Sequence, residues 1–215
     1  MKIVRVCALS FAVLAACEPR VEEPVRPEVT TAPASAGSAA APTTPATRAA
    51  TTAIAAPARP DRCIRATPKA PDRTLARDGG VDPACPKDPD KAPKLRAGKV
   101  TFEGGKAAVA VEIAAEDHDR QRGLMYRKKL AEDAGMIFAF EERRNHTFWM
   151  HNTCIPLDMI FLDGDGTIVG IEENVPTMDD STFEVGCPSR YVLEVNAGYS
   201  RRHAVEAGQR VTLDL

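Results

Sequence analysis

Hydrophobic and polar residues follow two different periods in the second half of the chain. Apolar residues at 100–102 and 109–113 flank a Gly-Gly pair, which predicts a β-hairpin. The polar stretch 115–122 then ends at Gly123, a residue suited to the C-terminus of a helix. This change of period predicts one short helix after the hairpin.

Continuous apolar runs follow, bounded by glycine or charge as in strands that are buried on both faces. These predicted strands are 135–140, 146–150, 157–162, 167–171, 190–195 and 210–214. The turn sequence Asp-Gly-Asp-Gly between the third and fourth predicts a second hairpin, and 200–205 predicts a short helical piece. Seven or eight short strands with one or two short helices predict a mainly β domain, a small β-sandwich or barrel-like sheet.

The first half of the chain lacks this pattern. Every aromatic residue except Phe11 lies beyond position 100, so the front has few side chains from which to build a core. Residues 30–60 are almost entirely Ala, Thr, Pro, Ser and Gly, which is typical of a semi-rigid spacer. We therefore predict a disordered tether over 17–97 and one folded domain over 98–215.

The first sixteen residues have the pattern of an export signal. Lys2 and Arg5 precede an apolar run of about eleven residues, whereas a membrane-spanning helix needs about 20. The run ends in Leu-Ala-Ala-Cys, which resembles the bacterial lipobox. We therefore predict a signal peptide over 1–16 and lipidation of Cys17. An ordinary secretory signal that happens to lie beside a cysteine is the alternative.

Lipidation would attach the protein to a membrane of the cell envelope, because two acyl chains give durable binding. Glu18 is not the aspartate associated with inner-membrane retention in enteric bacteria, so the outer membrane is favoured. A formal net charge of −2 and a pI near 6.1 provide no overall basic field for nucleic acid. We expect a monomer with a membrane anchor and no nucleic-acid partner.

Export would place the remaining four cysteines in an oxidising compartment. Four cysteines allow three pairings. Proximity in sequence and membership of the same segment favour Cys63 with Cys85, and Cys154 with Cys187. A thiol or metal site is the competing interpretation.

Four motifs in fixed order resemble one known family. They are GLMYRKKL (123–130), GMIFAF (135–140), FWMHNTCIPLDMIFLD (148–163) and RYVLEVNAG (190–198). With them, the chain resembles the bacterial and archaeal DUF192 family over about 109–215. The resemblance implies a small β-sandwich-like domain, often exported, with no established activity. The family position of Cys154 is usually aliphatic, so Cys154 together with Cys187 resembles a disulfide-bearing subgroup.

Polar residues of these motifs cluster where predicted strands end, close to the single tryptophan. The candidates for a ligand pocket are Arg122, Trp149, Asn152, Asp158, Glu194 and Asn196. An aromatic wall with a few fixed polar groups is the usual form of a small-ligand site, here for a small molecule, glycan or peptide. The alternative is that Arg122, Asn152, Asp158 and Asn196 form a buried hydrogen-bond network that ties loops to the sheet.

Metal ligation is not favoured by the spacing of the soft ligands. Met150, His151, Cys154 and Met159 are copper-type ligands. Strand alternation would place Met150 and His151 on opposite faces, and a disulfide would remove the Cys154 thiolate. The Asp-Gly-Asp-Gly turn lacks the later glycine and glutamate of a calcium loop. We therefore predict no metal and no cofactor.

Catalytic patterns are equally sparse. No common hydrolase or phosphate-loop motif is present, and His151 near Cys154 is the only sequence-local pair of a base and a nucleophile. We therefore expect no catalytic residues and a binding or accessory module of the cell envelope. A small hydrolase or thiol/redox enzyme that uses the region 149–158 is the alternative.

Overall fold

The computed structural model describes residues 62–74, 80–105 and 107–215. The predicted signal peptide, Cys17 and the tether up to residue 61 lie outside the described residues. Among the described residues, no helix combines the length and apolar character that crossing a membrane requires.

Seven strands form a single curled sheet. They are β1 Arg96–Phe102, β2 Ala108–Ala114, β3 Ala134–Arg144, β4 Leu157–Leu162, β5 Ile168–Val175, β6 Ser189–Asn196 and β7 Val211–Asp214. Their order across the sheet is β5-β4-β6-β3-β2-β1-β7. All neighbours are antiparallel except β2 and β3. The predicted mainly β fold class is confirmed in its barrel-like form, as a half-barrel built from one sheet.

Two short helices accompany the sheet, α1 Asp117–Arg122 and α2 Tyr199–Arg202. The end of α1 is at the predicted glycine: Gly123 has a φ of 47° and donates its N–H to the Asp119 carbonyl at 2.8 Å. Both predicted hairpins form, β1 with β2 and β4 with β5.

The predicted strand 146–150 does not form. Only Phe148 makes an isolated bridge, which pairs it with Phe183. The apolar run has another cause: Phe148 and Met150 pack onto one face of the sheet from a loop, where the Phe148 ring meets that of Phe138. An apolar run of five residues does not distinguish a strand from a loop of this kind.

The sheet carries a core on each face, because its central strands are apolar on both sides. Along β4, Ile160 and Leu162 belong to one cluster, while Met159 and Phe161 belong to the other. Asp158 shares the first face and Glu194 of β6 shares the second, since Glu194 is in register with Met159. The two acidic residues therefore lie on opposite faces of the sheet.

The two edge strands approach each other at one end of the half-barrel. The Val211 N–H donates to the Gly166 carbonyl at 2.8 Å, and Thr167 forms a bridge with Arg210. Gly166 has a φ of +79°, and a Cβ there would collide with the Val211 carbonyl oxygen. This junction requires glycine both for its backbone conformation and for its space.

Part of the predicted tether is attached to the domain. We call residues 62–74 the strap. The Arg65 N–H donates to the Val169 carbonyl at 2.8 Å, and the Arg73 guanidinium donates to the Glu173 carbonyl at 3.0 Å. Both acceptors are in β5, which is an edge strand and is nevertheless buried at every position. The strap therefore covers the outer side of β5.

The predicted cysteine pairing is wrong. The disulfides join Cys63 to Cys187 and Cys85 to Cys154, with Cα separations of 5.5 and 5.2 Å. Each bond connects the segment before the domain to the domain itself. Sequence proximity misled because the strap runs back along β5, which brings Cys63 to the loop that carries Cys187. All four cysteines are oxidised, as expected for an oxidising, extracytoplasmic compartment.

Candidate functional site

Asp158, a candidate pocket residue, is fully buried and occupied by backbone donors. Its carboxylate accepts hydrogen bonds from the N–H groups of Asn174 at 2.9 Å, Gly198 at 3.0 Å and Ser200 at 2.9 Å. These bonds attach the end of β5 and the start of α2 to β4. Asp158 thus has the role given by the alternative prediction, a buried group that ties loops to the sheet.

Arg122 and Asn152 meet at a third side chain, Tyr126. The Arg122 guanidinium lies 4.4 Å from the centroid of the Tyr126 ring and is ion-paired with Asp88. The Asn152 amide donates to the Tyr126 hydroxyl at 2.8 Å, from a backbone with a φ of 53°. These contacts hold the loop after α1 against the loop after residue 150.

Asn196 secures the same loop from the end of β6. Its amide nitrogen donates to the backbone carbonyls of Leu130 at 3.2 Å and Ala131 at 3.0 Å. Asn196 therefore also ties a loop to the sheet, as Asp158 does on the opposite face.

Glu194 is a buried acid between two methionines. It is 4% exposed and pairs in register with Met136 of β3 and Met159 of β4, both fully buried. Burial raises the pKa of Glu194 to about 8, so the carboxyl group is protonated at neutral pH. No hydrogen bond joins the Glu194 side chain to another described residue.

Trp149, one of the predicted pocket residues, lines a cleft. Its side chain is 50% exposed and stacks on the His151 ring at 4.8 Å between centroids. The cleft has a volume of about 290 Å³ and lies between α1, the far end of β3 and the loop 145–149. The other five candidates do not line it. The six predicted residues are therefore not gathered at this cleft.

The floor of the cleft is aromatic. The Phe148 ring meets Phe138 edge to face, with centroids 5.0 Å apart and planes at 88°, and meets Phe140 at 6.3 Å and 89°. Edge-to-face pairs of this kind fix ring orientations beyond the effect of burial alone. The floor is therefore preformed.

His146 adds a polar group to this aromatic wall. Its ring stacks on Phe140 with centroids 3.7 Å apart, and the residue is 5% exposed. Burial lowers the pKa of His146, and the neighbouring positive charge of Arg144 lowers it further. The buried Nε2 atom has no hydrogen-bond partner among the described residues. His146 therefore places a neutral imidazole in the wall of the cleft, with a buried nitrogen that is able to donate or accept a hydrogen bond.

The two arginines of the cleft differ in what they already bind. Arg120 donates to the Ala139 carbonyl at 2.9 Å and forms an ion pair with Asp117. It also lies 5.4 Å from the Phe140 centroid. Arg144 is exposed and has no ion pair with another described residue. The free charge of the cleft is therefore positive.

The sequence prediction missed Phe138, Phe140, Arg144 and His146. The alternate spacing of the two phenylalanines on one predicted strand placed them on the same face, and this was the available signal. The sequence did not indicate that His146 lies in a loop, because 146–150 was predicted as a strand. The described part of the chain contains no group of three or more His, Cys, Asp or Glu side chains placed to hold a metal ion.

Comparison with known proteins agrees with the motif resemblance. The family model DUF192, described as an uncharacterised ACR, matches residues 99–213. A solved structure of a candidate transcription regulator from Sinorhizobium meliloti 1021 is 37% identical, with a TM-score of 0.55. The match covers 57% of this chain and 98% of that chain.

A protein of unknown function from Novosphingobium aromaticivorans DSM 12444 is also similar. It is 32% identical, with a TM-score of 0.52, and the match covers 57% of this chain and 93% of that one. No curated protein matches this chain.

Proposed function

This chain belongs to the DUF192 family, whose activity is uncharacterised, and we propose that it is an exported lipoprotein whose domain binds a small ligand without catalysis. The ligand site is the Trp149 cleft. Lipidation of Cys17 attaches the protein to a membrane of the cell envelope, with the outer membrane favoured.

The exposure of Trp149 carries the binding part of the proposal. Among the large apolar side chains described as exposed it is the most open to solvent, at 50%. It lies at the rim of a cavity whose aromatic floor is already ordered. A preformed cleft that combines an aromatic wall with a few polar groups is the usual form of a small-ligand site.

Two observations support the envelope part. The disulfides require an oxidising compartment to persist, and the Leu-Ala-Ala-Cys sequence at residues 14–17 has the lipobox pattern.

The alternative of a thiol enzyme loses its nucleophile, because the Cys154 sulfur is bonded to Cys85 and the residue is fully buried. His151 instead contacts Asp180, with 2.7 Å between Nδ1 and the carboxylate oxygen.

The binding proposal is tested by fluorescence, because Trp149 is the only tryptophan in the chain. Purified mature protein is screened against neutral and acidic sugars, aromatic acids and short peptides, with melting temperature as a second readout. We expect at least one class to change the Trp149 emission saturably and to raise the melting temperature.

In this screen, Trp149→Ala should abolish the rise in melting temperature while leaving the ligand-free melting temperature within a few degrees of wild type. Ile64→Ala, at another exposed apolar residue, is the matched control and should keep the response. A ligand-induced rise that persists in Trp149→Ala would contradict the assigned site.

The anchor is tested separately by mass spectrometry of the protein from the membrane fraction. We expect acyl chains on Cys17 as the new N-terminus, and release of the Cys17→Ser variant into the soluble fraction. An unmodified Cys17 in a fully soluble mature protein would refute the lipoprotein part and leave the binding part intact.

A further inference from the structure

We propose that the ligand of the Trp149 cleft is a sugar that carries a carboxylate group. This inference rests on the proposed function and adds the class of ligand. The sugar ring lies against Trp149, the carboxylate contacts Arg144, and a hydroxyl contacts His146.

The available surface of Trp149 suits a sugar ring. The His151 ring is stacked nearly parallel to the indole, with planes 20° apart, while half of the Trp149 side chain stays open. The face of an aromatic ring is electron-rich and attracts the partly positive C–H groups of a pyranose. The cleft volume of about 290 Å³ is at the lower end of ligand pockets, which suits one sugar unit.

The charge of the cleft determines the charge of the ligand. Asp117, Arg120, Arg144 and His146 are its titratable groups. Asp117 and Arg120 neutralise each other in their ion pair, and the pKa of His146 is lowered towards the neutral imidazole. The guanidinium of Arg144 remains, and its planar fork matches the geometry of a carboxylate.

His146 distinguishes a sugar from a simple aromatic acid. Its Nε2 atom is buried without a described partner, an arrangement that costs free energy unless a ligand or water completes it. A hydroxyl complements a neutral imidazole in either tautomer, because it both donates and accepts. Gln121, Asn145 and Thr147 surround the cleft with further uncharged polar groups. These uncharged polar side chains are able to form hydrogen bonds with several hydroxyl groups of a sugar.

The experiment compares three ligands on the mature protein, followed by Trp149 fluorescence. Glucuronate has both the sugar ring and the carboxylate, glucose lacks the carboxylate, and benzoate lacks the hydroxyls. We expect glucuronate to bind at least about tenfold more tightly than either of the others, because each of them loses one set of contacts.

Three variants test which residues contact the carboxylate and the hydroxyl groups of the sugar. Arg144→Gln should lower the affinity for glucuronate to that for glucose, while leaving glucose binding unchanged. His146→Phe keeps a ring beside Phe140 and should weaken both sugars by a similar factor. Arg96→Gln, at an exposed arginine of β1, should change neither.

Equal affinities for glucose and glucuronate, or no effect of Arg144→Gln, would overturn the inference. Binding of benzoate or peptides without sugars at Trp149 would overturn it as well, although the proposed function would stand. If no ligand of the wider screen binds, the proposed function falls together with it.

Discussion

Arg62 and Asp165 are 103 positions apart in the chain and are joined by two hydrogen bonds of 2.9 and 2.7 Å. Arg62 belongs to the strap, and Asp165 lies in the turn between β4 and β5. The Arg62 guanidinium holds the pKa of Asp165 well below its usual range, with further hydrogen bonds from Thr167 and Arg210. The start of the strap is therefore fixed to the sheet by a bidentate ion pair.

Replacement of Arg62 by Gln should destabilise the protein by about 1 kcal/mol at pH 7, a modest value because solvent screens this partly exposed pair. The pKa of Asp165 is depressed in the folded state, so its contribution is complete above the ordinary carboxyl pKa and is lost as the pH falls. Because Thr167 and Arg210 still bind the Asp165 carboxylate in the variant, urea unfolding should show a difference from wild type that is nearly constant between pH 4 and pH 7.

Arg96→Gln is the matched control for this measurement and should differ little from wild type at any of these pH values. The absence of a penalty for Arg62→Gln at pH 7 would contradict the assigned ion pair.

The disulfide between Cys85 and Cys154 closes a loop with a sequence separation of 69. The double variant Cys85→Ser, Cys154→Ser should lose roughly 4 kcal/mol, because its unfolded chain regains conformational entropy. Thermal unfolding would measure the loss, and non-reducing peptide mapping would check the pairing. A peptide that links Cys63 to Cys85 would show the assigned connectivity to be incorrect.

The buried acid Glu194 makes stability fall with rising pH. Its pKa is raised to about 8 in the folded protein, so the folded state holds a proton that the unfolded chain releases. Between the ordinary and the raised pKa, stability should decrease by roughly 1.4 kcal/mol per pH unit. Denaturant unfolding between pH 5 and pH 9 should show this slope.

Glu194→Gln removes the titrating group, so its stability should exceed that of wild type at pH 8 and approach it near pH 5. Glu184→Gln, at an exposed glutamate, should keep the wild-type slope. An unchanged slope in Glu194→Gln would exclude Glu194 as its source.

Alanine substitutions at Gly166 and Gly186 distinguish the cost of backbone strain from the cost of steric crowding. Both have positive φ values, +79° and +68°, but a Cβ at Gly186 would meet no atom within 4 Å. Gly186→Ala should therefore cost about 1 kcal/mol. Gly166→Ala should cost at least about twice as much, because its Cβ would collide with the Val211 carbonyl. Equal melting temperatures for the two variants would mean that the backbone at the junction of the edge strands shifts at little cost to accommodate the Cβ at residue 166.

The sequence was informative wherever the determining contacts are local. Gly123 marked the end of α1, and the Asp-Gly-Asp-Gly turn marked the β4 to β5 hairpin. The aromatic floor of the Trp149 cleft was not predicted, because it depends on Phe148 packing against Phe138 from a loop. Asp158 binds backbone groups as distant as Ser200, and no local period reports such contacts. The strap and the disulfides depend on how Cys63 returns to the sheet, which composition does not reveal.

The disulfides are nested, because Cys85 and Cys154 both lie between Cys63 and Cys187. A chain that crosses a membrane from its N-terminus presents these cysteines in numerical order. An oxidant that joined each newly arrived pair would link Cys63 to Cys85 and Cys154 to Cys187, and both bonds would be non-native. Maturation along that route requires thiol–disulfide exchange, in which a thiolate attacks the incorrect bond and shuffles it. The yield of native protein should then depend on a disulfide isomerase in the exporting cell.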